Sequence, residues 1–282
     1  MKLVRYGPLG QEKPGLIDAD GKIRDLSAHV ADIAGDVLSP KGLAALKAID
    51  PASLPLVEGS PRYGSPVAGV SKILCIGLNY SDHAAETGAE PPTEPIIFTK
   101  QINALCGPND DVEQPRGSDA LDWEVELAVI IGSRAKYVSE SDAMDYVAGF
   151  AVMNDVSERT FQTKRQGQWT KGKSHDTFGP LGPWLVTRDE VSDPHDLDMW
   201  LDVNGERRQT GTTSTLIFNL PHVVSYCSQF MTLMPGDVIT TGTPPGVGMG
   251  MKPPQYLKVG DVMTLGIAGI GEQKQTVIAA RD

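Results

Sequence analysis

Short apolar runs of strand length, bounded by turn residues, recur along this 282-residue chain, and few stretches carry helical spacing. Lys72 to Ile76, Leu127 to Ile131, Gly149 to Met153 and Trp184 to Val186 are runs of this kind. Met199 to Val203 and Glu206 to Gln209 flank Asn204-Gly205, while Gly15 to Asp18 and Lys22 to Leu26 flank Asp20-Gly21. Both dipeptides favour the tight turn of a β-hairpin. Pro235-Gly236-Asp237 and Val259-Gly260-Asp261 introduce closing strands. A helix is expected over Pro221 to Met231, with proline at its start, where the missing N–H leaves no bond unmade. Strands and helices do not alternate regularly, so the expectation is an α+β, β-rich fold rather than a doubly wound sheet.

Residues 1–70 read as a small N-terminal α+β domain and linker. They offer a strand over Lys2 to Tyr6, the Asp20-Gly21 hairpin, and a short helix over Gly42 to Ile49 stopped by Pro51. A stretch rich in Pro, Gly and Ser then runs to Ser71. Residues 71–282 are expected to form the main, catalytic domain.

Lys and Arg total 25 against 36 Asp and Glu, a formal charge of −11. That balance repels phosphate backbones and anionic lipid, so neither nucleic acid nor a membrane is an expected partner. An anionic substrate would need cations placed locally. Cys75, Cys106 and Cys227 are far apart and form no CxxC pair, which argues against zinc ribbons, iron–sulfur clusters and a disulfide framework. The first residues, MKLVRYGPLG, lack the apolar core of a signal peptide, and no run of eighteen apolar residues occurs. A soluble, cytoplasmic protein is expected.

In Leu121-Asp122-Trp123-Glu124-Val125-Glu126-Leu127, acidic and apolar residues alternate. As a strand this sends all three carboxylates to one face, with Glu124 and Glu126 Cα atoms ~6.7 Å apart. Two glutamates at that spacing can converge on one ion, and like charges so close need a cation between them. The other reading is an edge strand with a solvated acidic face. Asp155 follows the apolar strand Gly149 to Asn154, where a helix is expected to begin near Ser157. It is either a helix cap, with Glu158 completing a capping box, or a third oxygen ligand. Oxygen-only ligation selects a hard ion, Mg²⁺ or Mn²⁺ before Ca²⁺.

The run Asp122 to Ala128, followed by Asn154-Asp155-Val156-Ser157, strongly resembles the fumarylacetoacetate hydrolase family. Three further segments match in order: Gly77-Leu78-Asn79-Tyr80 with His83 and Glu86, Lys171-Gly172-Lys173-Ser174 with Asp176-Thr177-Phe178, and Thr241-Gly242-Thr243-Pro244 with Gly246-Val247-Gly248. The resemblance implies a β-roll that forms a homodimer or a dimer of dimers. It implies Mg²⁺ or Mn²⁺ on Glu124, Glu126 and Asp155, with a small-molecule 2-keto acid chelating the metal. It further implies Lys173 and Gln162 as catalytic residues, Tyr80 and Thr243 at the substrate, and a lid over Ser81 to about Glu94 carrying His83 and Glu86 as an acid–base pair. Within the family, Gln168 to Lys173 and Gly182 to Val186 most resemble enzymes that hydrolyse 2,4-diketo-3-deoxy-L-fuconate or L-rhamnonate.

The implied reaction is hydrolysis of a C–C bond in a 2,4-diketo acid to pyruvate and a second acid, lactate for a 6-deoxy sugar acid. Alternatives are oxaloacetate decarboxylation, or a lyase or isomerase reaction on a related keto acid, and, more distantly, a non-enzymatic carboxylate-binding protein. Decarboxylation needs no attacking water, which His83 and Glu86 are suited to activate. Arg159 has two readings, a substrate-carboxylate ligand or a helix-surface salt bridge with Glu158 or Asp155. Gly242 to Gly250 lacks GxGxxG and GK[ST], so it reads as a loop whose backbone N–H groups and Thr243 approach substrate rather than a nucleotide site. Ser174-His175-Asp176 is rejected as a triad, because consecutive residues point in different directions.

Overall fold

The computed structural model describes residues 1–82, 86 and 90–281. Among these, two large sheets carry the fold. The larger has ten strands, nine of them in the order Ile23–Asp25, Lys13–Ile17, Lys2–Tyr6, Gly179–Thr187, Val147–Asn154, Val125–Ile131, Val238–Thr240, Ile73–Gly77 and Ile96–Lys100. The second runs Glu206–Thr212, Asp198–Val203, Val262–Ile267, Gly271–Ala279 and Val112–Gln114. Among the described residues, four α-helices, Pro40–Lys47, Arg159–Thr163, Thr170–Lys173 and Leu220–Phe230, complete the α+β, β-rich architecture. None of the helices among the described residues is long and apolar enough to cross a membrane.

The strand Val125–Ile131 lies near the middle of the larger sheet and is buried along its whole length. Val125, Leu127, Val129 and Ile131 enter one core cluster with Leu201, Met263 and Leu265 of the second sheet. Ala128 and Ile130 enter another, with Ile73, Cys75, Met153 and Val238. A strand with core on both faces needs apolar residues at odd and even positions alike, which is why VELAVII loses its alternation beyond Glu126.

The N-terminal segment shares this sheet: Lys2 pairs with Val186 and Leu3 with Leu185. The Pro/Gly/Ser-rich stretch packs back on it, with Tyr6 bridged to Tyr63 and Arg24 to Leu56. Both hairpins form at the expected dipeptides. The helix over Leu220–Phe230 starts with Asn219 accepting from His222 N at 2.9 Å and Pro221 in the first turn.

One local expectation is corrected. The helix after Asp155 begins at Arg159, and its cap is Glu158, whose carboxylate accepts from Phe161 N at 2.6 Å and Ala120 N at 2.9 Å. Asp155 caps nothing, because Ser157–Glu158 first pair with Leu121–Asp122 as a short bridge and hold the chain extended.

Candidate active site

Antiparallel register assembles the acidic centre. Met153 pairs with Glu126 and Asn154 with Val125, so Asp155 falls across from Glu124, its N–H donating to Glu124 O at 2.9 Å. Side chains two residues apart share a face, so Glu124, Glu126, Met153 and Asp155 all point the same way. One oxygen from each of Glu124, Glu126 and Asp155 lies within 4.8 Å of the others, and all three residues are buried.

Asp122 does not join them, contrary to the simple alternation. The strand breaks after Asp122, where Asn154 Oδ1 takes the Glu124 N–H at 3.2 Å and Gln209 Oε1 takes the Val125 N–H at 3.0 Å. Asp122 instead accepts from Arg159 Nε at 2.7 Å, Gly248 N at 2.7 Å and Met249 N at 3.0 Å.

Three buried cations face these carboxylates. Lys173 Nζ reaches Glu124 Oε2 at 2.8 Å and Asp155 Oδ2 at 2.9 Å. Lys100 Nζ, at the end of an edge strand, bonds Asp155 Oδ1 and Val156 O. Arg159 Nη2 reaches Glu124 Oε1 at 2.7 Å, and its Nη1 reaches Gln162 Oε1 at 3.1 Å. Arg159 is therefore buried and pairs with Asp122 and Glu124, not with Glu158 or Asp155 on a helix surface. Lys173 is pressed into place because Gly172 lets its short helix meet the preceding one: a Cβ there would lie 2.3 Å from Glu158 O and 2.5 Å from Gln162 N.

The carboxylates divide electrostatically. Burial raises the Glu124 pKa, but Arg159 and Lys173 outweigh it and hold the group well below the usual range. Burial, then the Asp155 and Glu124 charges, push Glu126 well above it. Glu126 accepts Gly242 N–H at 2.9 Å and forms no ion pair among the described residues. Burial lowers Lys173, but Asp155 and Glu124 raise it overall. Lys100 is lowered, chiefly by burial.

The donor set fits a divalent cation. It is all hard oxygen, it is buried, and each ion-paired carboxylate oxygen keeps a second lone-pair position. Glu126 is the member that most needs a positive neighbour.

Glu124, Glu126, Arg159, Gln162, Thr163 and Lys173 line one side of a cavity of about 270 Å³, which Ile76, Leu78, Phe98, Trp169 and Met249 complete. Thr243 also lines it, but its hydroxyl donates to Val125 O at 2.9 Å and accepts from Gln209 at 2.8 Å. Tyr80 is placed elsewhere: it is wholly buried, with its hydroxyl on Met199 Sδ at 3.2 Å, and it is not among the cavity residues. His83 lies outside the described residues. Glu86 accepts from Gly246 N at 3.1 Å. The glycine-rich loop thus spends its N–H groups at 242, 246, 248 and 249 on the protein's own carboxylates, where substrate contacts were expected.

Lys100 and the bracing role of Asp122 escaped the sequence reading. The available signal was a lysine closing the apolar run Ile96-Ile97-Phe98 and an acid beginning the alternating stretch.

A β-rich fold with a buried carboxylate triad able to hold a divalent cation, walled by lysine and arginine, defines an enzyme class. The chain belongs to the fumarylacetoacetate hydrolase family, residues 72–278 matching the fumarylacetoacetate (FAA) hydrolase C-terminal domain. It is 62% identical over 282 residues to a protein of Burkholderia multivorans, covering 100% of both chains. Among solved structures it resembles fumarylacetoacetate hydrolase from Exiguobacterium antarcticum, with TM-score 0.87 and 35% identity over 99% of this chain and 100% of that one. It also resembles maleylpyruvate hydrolase from Sphingobium sp. SYK-6 in complex with manganese(II) ion and pyruvate, with TM-score 0.82 and 29% identity over 100% of both.

Proposed function

We propose that this chain is a metal-dependent hydrolase cleaving the C3–C4 bond of a 2,4-diketo acid to pyruvate and a second acid. The substrate type is a 2,4-diketo-3-deoxy sugar acid, giving lactate when the sugar is 6-deoxy. The observation that carries the reading is the buried convergence of Glu124, Glu126 and Asp155 within 4.8 Å, beside a cavity that Lys173 and Arg159 also line. The pyruvate and manganese held by the similar maleylpyruvate hydrolase support it.

Mg²⁺ or Mn²⁺ held by the triad supplies Lewis-acid polarisation of the 2-keto oxygen. Arg159 uses three of its five N–H groups on Asp122, Glu124 and Gln162, so it is held rigidly while two remain for the substrate carboxylate. Water adds to the C4 carbonyl and gives its proton to a base. The C3–C4 bond then breaks with its electron pair left on the pyruvate enolate, and a proton returns to C3. Lys173, kept charged by Asp155 and Glu124, is assigned as the group that stabilises the oxyanion that develops. His83, oriented by Glu86, is assigned as the base, and Gln162 as the residue that holds the water.

Pyruvate release from a panel of 2,4-diketo acids, with Mg²⁺, with Mn²⁺ and with EDTA, tests the proposal. Metal-dependent release is expected, and its absence from every member of the panel overturns the reading.

A further inference from the structure

We infer that Gln209, a side chain of the second sheet, is a positioning residue that fixes Glu124 and Glu126 as a pair and so sets which divalent ion the triad prefers. The inference rests on the proposed metal-holding role of that triad and concerns the geometry of the same site.

The ground is a change of partner along the strand Val125–Ile131. One of its edges pairs with Val238–Thr240, Thr240 lying opposite Ala128. That partner strand stops at Thr240, short of the ligand positions. Thr241 still serves Leu127 O, through its N–H at 3.1 Å and its hydroxyl at 3.0 Å. At Gly242 the chain turns away with φ +92°, a left-handed conformation that favours glycine. Buried peptide groups left without a ladder partner are costly unless other groups pair with them.

Side chains take over from there. Gln209 Oε1 accepts from Val125 N at 3.0 Å, and Thr243 Oγ1 donates to Val125 O at 2.9 Å. Gln209 Nε2 donates to Thr243 Oγ1 and to Pro244 O, both at 2.8 Å, which closes the clamp. The Val125 N–H belongs to the peptide unit that joins Glu124 to Val125, and the Val125 carbonyl to the unit that joins Val125 to Glu126. Each ligand therefore adjoins one clamped peptide unit. Glu126 forms no ion pair among the described residues, so its orientation depends on its backbone and on the bond from Gly242 N at 2.9 Å.

Gln209 is wholly buried, whereas Glu206, Arg207 and Thr210 of the same strand, Glu206–Thr212, are exposed. Two glycines bring that strand onto the loop that follows Thr241. A Cβ on Gly246 would lie 1.9 Å from Arg208 O, and one on Gly211 would lie 2.3 Å from Pro244 Cβ. These approaches seat Gln209 directly against Thr243 and Pro244.

The clamp bears on the choice of ion because the ions differ in tolerance. Mg²⁺ demands near-ideal octahedral geometry, whereas Ca²⁺ accepts a larger and more variable set of oxygens. Two glutamates on fixed peptide units suit the demanding ion, and two on loosened units suit the tolerant one. Loss of an outer partner of a metal ligand lowers affinity by about 10–100-fold.

Calorimetric titration of Mg²⁺ and of Ca²⁺ into chelated wild type, Gln209→Met, Thr243→Val and Ser228→Ala tests the inference, each protein held at a temperature where it is folded. Gln209→Met keeps the length of the side chain and removes its amide, while Thr243→Val keeps the shape and removes the hydroxyl. Ser228→Ala makes the same kind of lesion away from the cavity, since buried Ser228 Oγ accepts from Val138 N at 2.9 Å. Mg²⁺ affinity is expected to fall by about 10–100-fold in both clamp variants, and Ca²⁺ affinity by at least about fivefold less. Ser228→Ala should lower Tm and leave the ratio of the two affinities at the wild-type value. An unchanged ratio in Gln209→Met, or the same shift in Ser228→Ala, overturns the inference and leaves the metal reading intact. Should Gln209→Met fail to fold, the ratio in Thr243→Val decides in its place. If the wild type binds neither ion, the metal reading itself fails and the inference falls with it.

Discussion

Lys173 Nζ donates to Asp155 Oδ2 at 2.9 Å and to Glu124 Oε2 at 2.8 Å, joining the end of a four-residue helix to two carboxylates that lie just beyond the ends of adjacent strands. Lys173→Met removes the charge proposed to stabilise the developing oxyanion. Hydrolysis is expected to fall by about 10²–10³-fold, the scale set by loss of one such stabilising group. The metal-free variant also leaves two buried carboxylates short of a partner, so its Tm should be lower. Added Mn²⁺ should then raise Tm more than it does in the wild type. An unchanged rate, or a Tm that ignores Mn²⁺, contradicts the assignment.

Gly172→Ala tests whether the seating of Lys173 depends on backbone contact. The added Cβ meets Glu158 O and Gln162 N, which are backbone atoms and cannot swing aside. A loss of stability of about 1–3 kcal/mol is expected, with a larger fall in kcat than in thermal stability alone would produce at 25 °C. Wild-type kcat in this variant would show that the close contact is unimportant.

Glu158→Ala separates scaffold from chemistry. It removes the acceptor of the Phe161 and Ala120 N–H groups, so unfolding free energy should drop by about 1–3 kcal/mol in denaturant titrations. Mn²⁺ affinity of the folded variant should change little, since Glu158 is not one of the clustered ligands. Loss of metal binding with normal stability would reverse this division.

His83→Asn tests the proposed separation of water activation from charge stabilisation. Hydrolysis of a diketo acid should fall by about 10²–10⁴-fold, the usual worth of a positioned base. Any oxaloacetate decarboxylation shown by the wild type should fall much less, because it needs no attacking water. Equal losses in both reactions, with metal binding intact, count against His83 as the base.

Much of the centre was readable from sequence because strand geometry is periodic. Alternation placed Glu124 and Glu126 on one face, and the apolar run ending at Asn154 put Asp155 at a strand end. What alternation could not supply was register, which sets Asp155 across from Glu124 and depends on pairing over about thirty residues of chain. Nor could it foresee the break after Asp122, because that break is held by Asn154 and Gln209 from distant segments. Lys100 looked like an ordinary strand-end lysine until tertiary structure buried it beside Asp155. The glycine-rich loop was expected to turn its backbone N–H groups to substrate, and those of Gly242, Gly246 and Gly248 donate instead to Glu126, Glu86 and Asp122. Short-range pattern identifies which groups need partners, and only the assembled sheets decide which partners they get.

The central claim is that Glu124, Glu126 and Asp155 together hold the divalent ion on which hydrolysis depends. Calorimetric titration of Mn²⁺ into exhaustively chelated protein, for the wild type and for Glu126→Gln, tests it most directly, with diketo-acid hydrolysis followed on the same samples. The account predicts one Mn²⁺ per chain in the wild type, with activity restored as that site fills. In Glu126→Gln it predicts metal affinity lower by at least about tenfold and activity lower by about a hundredfold, in a protein that still unfolds cooperatively. Full hydrolytic activity after chelation, or undiminished Mn²⁺ binding in Glu126→Gln, would contradict it.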